Sequence, residues 1–151
     1  MAPPNRFLRI LTSSLFLFSI LIASSSAEVI TLTSDTFSDK IKEKDTAWFV
    51  RFCVPWCKHC TNLGSLWEDL GRAMEGEDDI EIGQVDCSLD KPACTKADIH
   101  SYPTFKLFYN GEEVARYQGS RDVESLKAFA VEETAKAAAK VEAEVDDDRD
   151  L

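Results

Sequence analysis

Apolar and polar positions alternate in a changing rhythm along this chain, and each change of rhythm marks an element. VITLT (29–33) alternates as a short strand, and Ser34 or Asp35 can cap a helix carrying Phe37 and Ile41 on one side. TAWFVRFC (46–53) is almost wholly apolar apart from Arg51, the pattern of a central strand covered on both faces. From Cys57 the period becomes helical, with Leu63, Leu66, Trp67 and Leu70 on one side, ending near Gly71 to Gly76. IEIGQVDC (80–87) predicts a third strand, and KPACTKADI (91–99) a short helix opened by Pro92. TFKLFY (104–109) and EEVARYQ (112–118) flank Asn110-Gly111, a strong hairpin signal. From Asp122 a helix with Val123, Leu126, Phe129 and Ala130 on one face continues into AKAAAKVEAEV and fades in DDDRD.

The predicted order is β-α-β-α-β-α-β-β-α. Early alternation of strands and helices implies parallel pairing, and the late hairpin adds an antiparallel edge. With PWCKHC (55–60) directly after the second strand, this order resembles the thioredoxin fold, an α/β mixed sheet flanked by helices. Three segments are expected: a signal peptide over 1–27, a thioredoxin domain over 28–131, and an acidic helical or disordered tail over 132–151.

The first segment rests on Arg6 and Arg9, the mostly apolar run Ile10 to Ala23, and the small residues Ser25-Ser26-Ala27. That run is short of the roughly 20 residues of a spanning helix, so no membrane anchor is expected. Beyond it lie all 27 acidic residues and all but two of the 17 basic ones. So acidic a surface argues against nucleic acid and anionic membrane as partners. All five cysteines also lie there, where an oxidising compartment lets disulfides persist. An odd number leaves one thiol over.

CxxC at the start of a helix suits thiol–disulfide exchange. The attacking species is the thiolate, and the unpaired N–H groups and dipole of a helix N-terminus favour an anion there. Cys60, one turn on from Cys57, can resolve a mixed disulfide; Cys57 should be the exposed sulfur and Cys60 the more buried one. Two other readings are weaker: a buried apolar pair, or zinc held by Cys57, Cys60, Cys87 and Cys94, where the six-residue gap to Cys94 exceeds the usual ligand spacing.

FCVPWCKHCTNLGSLWEDL resembles the active-site segment of protein disulfide isomerases, usually FYAPWCGHC, and QVDC through YPTFKLFYNGEEVARYQGSR resembles that family's second half. The likeness spans about residues 29–130 and is strongest to small single-domain plant isomerase-like proteins. It implies Cys57 as nucleophile, Cys60 as resolving cysteine, and Lys58 and His59 as residues tuning the potential of a Cys57–Cys60 disulfide. It further implies Pro103 as a cis-proline contacting client backbone, and Arg121 swinging toward Cys60 to lower its pKa. Cys87 and Cys94 match a pair that some relatives close, a bridge adding roughly 2 kcal/mol. Cys53 replaces a family tyrosine and would remain the free thiol.

Three departures bear on function. Lys58 stands for glycine, adding charge beside the nucleophile and favouring a more oxidising pair. Arg51 and Gln84 replace a buried glutamate and its lysine partner, so slower proton relay is expected. The end DRDL differs from the usual retention signals, leaving the endoplasmic reticulum lumen or secretion as destinations. The implied activity is a monomeric thiol–disulfide oxidoreductase acting on cysteine-bearing folding clients, with glutathione or a partner oxidase supplying redox equivalents and no metal or nucleotide cofactor. The alternative is a redox-slow adaptor or chaperone module of the same fold, with the acidic tail as its contact surface.

Overall fold

The computed structural model describes residues 28–149; the expected leader and the last two residues of the DRDL end lie outside them. Five strands, β1 (Ile30–Thr31), β2 (Ala47–Cys53), β3 (Ile80–Asp86), β4 (Thr104–Tyr109) and β5 (Glu112–Tyr117), form one sheet in the order β1-β3-β2-β4-β5. β1 and β2 both run parallel to β3, whereas β4 is antiparallel to β2 and to β5. The most apolar strand, β2, lies at the centre, because only there are both of its faces covered. At the β4–β5 hairpin Asn110 and Gly111 both take positive φ, 51° and 86°, the backbone that a tight two-residue turn demands.

The helices are α1 (Phe37–Lys40), α2 (Lys58–Thr61), α3 (Leu66–Ala73), α4 (Lys91–Lys96) and α5 (Val123–Arg149). Strand alternation divides the core in two. Phe49 points with Trp67, Leu70, Phe105, Leu107 and Leu126 into the layer under α3 and α5. Trp48, Val50 and Phe52 point the other way, against Phe37, Ala93 and Phe108. Trp67, fully buried, donates its indole N–H to the Gly83 carbonyl at 2.8 Å, which ties α3 to β3. Gly83 has little room to be anything else, since a Cβ there would lie 3.1 Å from Leu32 and 3.3 Å from Trp48.

Two features depart from the sequence reading. The single helix expected from Cys57 is broken into α2 and α3. Gly64, at φ 53°, leaves helical geometry, and Leu63, Gly64 and Leu66 make only three-residue turns to Cys60, Thr61 and Leu63. The last helix does not fade at Asp146 but runs to Arg149. Thr134 and Ala137 are buried, and Ala138 and Val141 pack against the core. The boundary expected after residue 131 therefore falls inside one continuous packed helix. Lys136 bridges Glu132 and Glu133 at 2.7 and 2.9 Å, supporting its middle. No helix among the described residues is long and apolar enough to cross a membrane.

Candidate active site

The sulfur centre lies where β2 ends and α2 begins. Val54, Pro55 and Trp56 carry the chain off the sheet, and Cys57 is the N-cap residue of α2, with extended backbone at φ −76° and ψ 115°. Its carbonyl accepts the Thr61 N–H at 3.0 Å, which closes the first turn and sets Cys60 one turn along. The Cys57 thiol donates to the Tyr102 carbonyl at 3.6 Å. Tyr102 precedes Pro103 through a cis peptide, so the loop before β4 faces the attacking position. Trp56 is 76% exposed and Tyr102 37%, leaving apolar surface on either side of Cys57.

Sulfur pairing differs from the expectation in a specific way. Cys60 is bonded to Cys53, not to Cys57, and among the described cysteines Cys57 is the free one. The residue expected to be left over is thus paired, and the expected nucleophile is unpaired. Strand parity is the cause. Phe49, Arg51 and Cys53 share the face of β2 that α2 and α3 cover, and the first turn of α2 brings the Cys60 Cα to 6.0 Å from that of Cys53. This lies inside the 4.4–6.8 Å span of natural bridges. Both Cys57 and Cys60 are half-buried, so the expected contrast in their exposure is not present. Cys87 and Cys94, both buried, form a second disulfide with Cα atoms 5.7 Å apart, which fastens α4 to the end of β3.

Arg51 and Gln84 are register partners on β2 and β3, and the guanidinium donates to the Gln84 amide oxygen at 2.7 Å. Gln84 in turn donates to Thr31 Oγ1 at 3.1 Å. The Arg51 guanidinium sits 5.9 Å from the Trp67 ring centre, and its buried Nε has no hydrogen-bond partner among the described residues. Burial lowers the Arg51 pKa, against the nearby Glu68 carboxylate, which raises it. A charge and a dipole therefore stand where the resemblance implied an acid–base ion pair. Arg51, Gln84 and Thr31 line a cleft of about 320 Å³ whose other wall is Cys53 and Cys60.

The remaining predicted residues are distributed around this centre. Lys58 and His59 are exposed on α2. His59 and Arg121 line one cleft, and Arg121 also borders a second beside Pro103. Arg121 is not among the residues lining the cleft of Cys53 and Cys60. Two participants were missed by sequence reasoning: the Tyr102 carbonyl against Cys57, and Cys53. The Tyr102 contact has no local signal, whereas Cys53 could have been found by following the alternation of β2 to its end.

Such a fold with a free cysteine opening a helix one turn from a bonded one defines a thioredoxin-type redox domain. Residues 28–132 match the Thioredoxin family. The chain is 70% identical over 130 residues to protein disulfide-isomerase 5-1 of Arabidopsis thaliana, covering 86% of this chain and 89% of that protein. It is 66% identical to protein disulfide isomerase-like 5-1 of Oryza sativa subsp. japonica, covering 91% of this chain and 93% of the relative. Among solved structures, the first two thioredoxin domains of Naumovozyma dairenensis Eps1p superpose with a TM-score of 0.62 at 31% identity, covering 66% of this chain and 38% of that one. The chain belongs to the thioredoxin family and, within it, to the protein disulfide isomerases. It is a thiol–disulfide oxidoreductase.

Proposed function

We propose that Cys57 is the attacking sulfur and Cys60 the resolving one, and that the clients are cysteine-bearing proteins folding in the secretory pathway. The observation that carries this reading is the state and place of Cys57: a free thiol at the head of α2, within 3.6 Å of the Tyr102 carbonyl and flanked by exposed Trp56. In reduction, the Cys57 thiolate attacks one sulfur of a client disulfide and the other client sulfur leaves as thiolate. Cys60 thiolate then attacks the Cys57 sulfur, which closes Cys57–Cys60 and releases the second client thiol. Run backward, the same steps oxidise a client dithiol. Glutathione or a partner oxidase resets the pair.

The other residues take supporting roles in this reading. Lys58 places positive charge beside the thiolate, and with His59 next to it tunes the pair toward an oxidant. The loop at Pro103 presents backbone to a client strand, and Arg121 approaches Cys60 during reoxidation. The leader-like residues 1–27 support entry into the secretory pathway, with the endoplasmic reticulum lumen or secretion as the destination. Immunolocalisation of the full chain checks it, and a cytosolic signal would exclude it.

The activity assay is glutathione-coupled reduction of insulin by the purified chain and by Cys57→Ser. Turnover should disappear in the variant. Full turnover without Cys57 would overturn the assignment, whereas no turnover in the unmodified chain would leave client binding without redox chemistry as the reading to pursue.

A further inference from the structure

We propose that Cys53 is a third redox cysteine of the same centre, so that Cys60 closes either of two disulfides, with Cys57 or with Cys53. The inference rests on the reading of Cys57 as nucleophile and adds a catalytic sulfur to it. Cys60 stands between two candidate partners on different sides. Cys53 ends β2 on the face shared with Phe49 and is bonded to Cys60 with a Cα separation of 6.0 Å. Cys57 lies three residues before Cys60 and packs against the opposite core layer, beside the Tyr102 carbonyl.

The two disulfides interconvert by an internal exchange that needs no oxidant. The Cys57 thiolate attacks the Cys60 sulfur of Cys53–Cys60, the Cys57–Cys60 bond forms, and Cys53 leaves as thiolate. One S–S bond is broken and one made, so the oxidation level is unchanged. The proton lost by Cys57 is regained at Cys53 from water, which reaches that sulfur through the 320 Å³ cleft. Arg51 lines the same cleft, with its guanidinium held by Gln84 at 2.7 Å, and its charge offsets that of the departing thiolate.

The consequence is an oxidised protein that still owns a nucleophile. With Cys57–Cys60 closed, the centre donates a disulfide to a client dithiol. With Cys53–Cys60 closed, Cys57 is free to attack a client disulfide, and Cys60 is not free to resolve the product. That mixed disulfide is released by another thiol of the client, which is rearrangement instead of reduction. Cys53 therefore divides the oxidised population between a disulfide donor and an isomerising form.

The test maps the free thiol of the oxidised chain. The purified protein is equilibrated in oxidising glutathione buffer, quenched in acid, and labelled with N-ethylmaleimide in denaturant at low pH. Trypsin then places Cys53 and Cys57 on one peptide, Phe52 to Lys58, and Cys60 on the next. Fragmentation identifies which sulfur carries the label. A population labelled at Cys57 and bonded Cys53–Cys60 is expected, and the Cys57→Ser variant should close Cys53–Cys60 in the same buffer. Label on Cys53 alone in the oxidised wild type, or a freely labelled Cys60 in Cys57→Ser, would overturn the proposal. Failure of the underlying reading looks different: Cys57→Ser would keep its insulin turnover, whatever the bond map shows.

Discussion

Removing the Cys87–Cys94 bridge offers a measurement whose size follows from the geometry. The two cysteines are seven residues apart in sequence, one at the end of β3 and the other buried in α4. A cross-link over so short a loop restricts the unfolded chain by about 2.5 kcal/mol, from the logarithmic loop-closure relation. The enthalpic side is small if the site accepts alanine, because both residues sit in the apolar layer with Val85, Ala93 and Ala97 and no buried polar group is orphaned. The double variant Cys87→Ala/Cys94→Ala should therefore lose about 2–3 kcal/mol. Urea unfolding followed by tryptophan fluorescence is the assay, with both proteins held in the same glutathione buffer so that Cys53, Cys57 and Cys60 share one redox state. The midpoint should fall by roughly 1–2 M, and the melting temperature by about 10 °C. A loss below about 1 kcal/mol would refute the loop-closure reasoning and mean that the unfolded chain is already compact around residues 87–94.

Three further outcomes are expected. Burial, with the Glu43 carboxylate adding to it and Lys40 opposing, holds the Glu81 pKa above the ordinary carboxylate value of 4.5. The native state thus favours the protonated form, so this residue costs stability as pH rises through its raised pKa. Glu81→Gln should unfold at higher urea than wild type at pH 7.5, with the gap closing below about pH 4; a gap independent of pH would contradict it. Trp67→Phe removes the indole hydrogen bond to Gly83 and should cost about 1–3 kcal/mol in the same unfolding assay. Arg51→Glu combined with Gln84→Lys places an acid–base pair beside Cys60 and should raise insulin turnover by about a hundredfold, the low side of what a positioned proton carrier contributes. No gain would end the relay argument.

The order of elements was readable because each strand of this chain carries its own boundary. Asn110-Gly111 forces the hairpin through positive φ, and the unbroken apolar run of β2 permits only a central position. The break between α2 and α3 was not readable in the same way. Leu63, Leu66, Trp67 and Leu70 keep a helical spacing straight through it, and Gly64 supplies only a conformational option that tertiary packing takes up. The end of the last helix was misjudged for the opposite reason: its acidic run is a poor terminus locally, but Thr134, Ala137 and Val141 anchor the helix from the core side. At the active site, PWCKHC drew attention to its own two sulfurs. Pairing is a property of distance, and the neighbour of Cys60 in space is set by the strand before the motif as much as by the helix after it.

The final helix has a property that its packing alone does not convey. Its 27 residues span about 40 Å, and beyond Val141 no side chain among the described residues packs against the core. Over that unsupported stretch Glu142 faces Asp146 and Glu144 faces Asp148 at like-charge spacing, at the helix end where the backbone dipole already repels anions. Lys140 and Arg149 offset this only partly, at 3.8 Å from Glu144 and Asp146. Dissolved ions weaken such repulsion only in part where charges lie closer than the Debye length of about 10 Å at 0.1 M, so the last two turns should respond to the medium more than the anchored turns. Added salt is therefore expected to firm the turns after Val141 and dilution to loosen them, which far-UV circular dichroism followed against ionic strength checks.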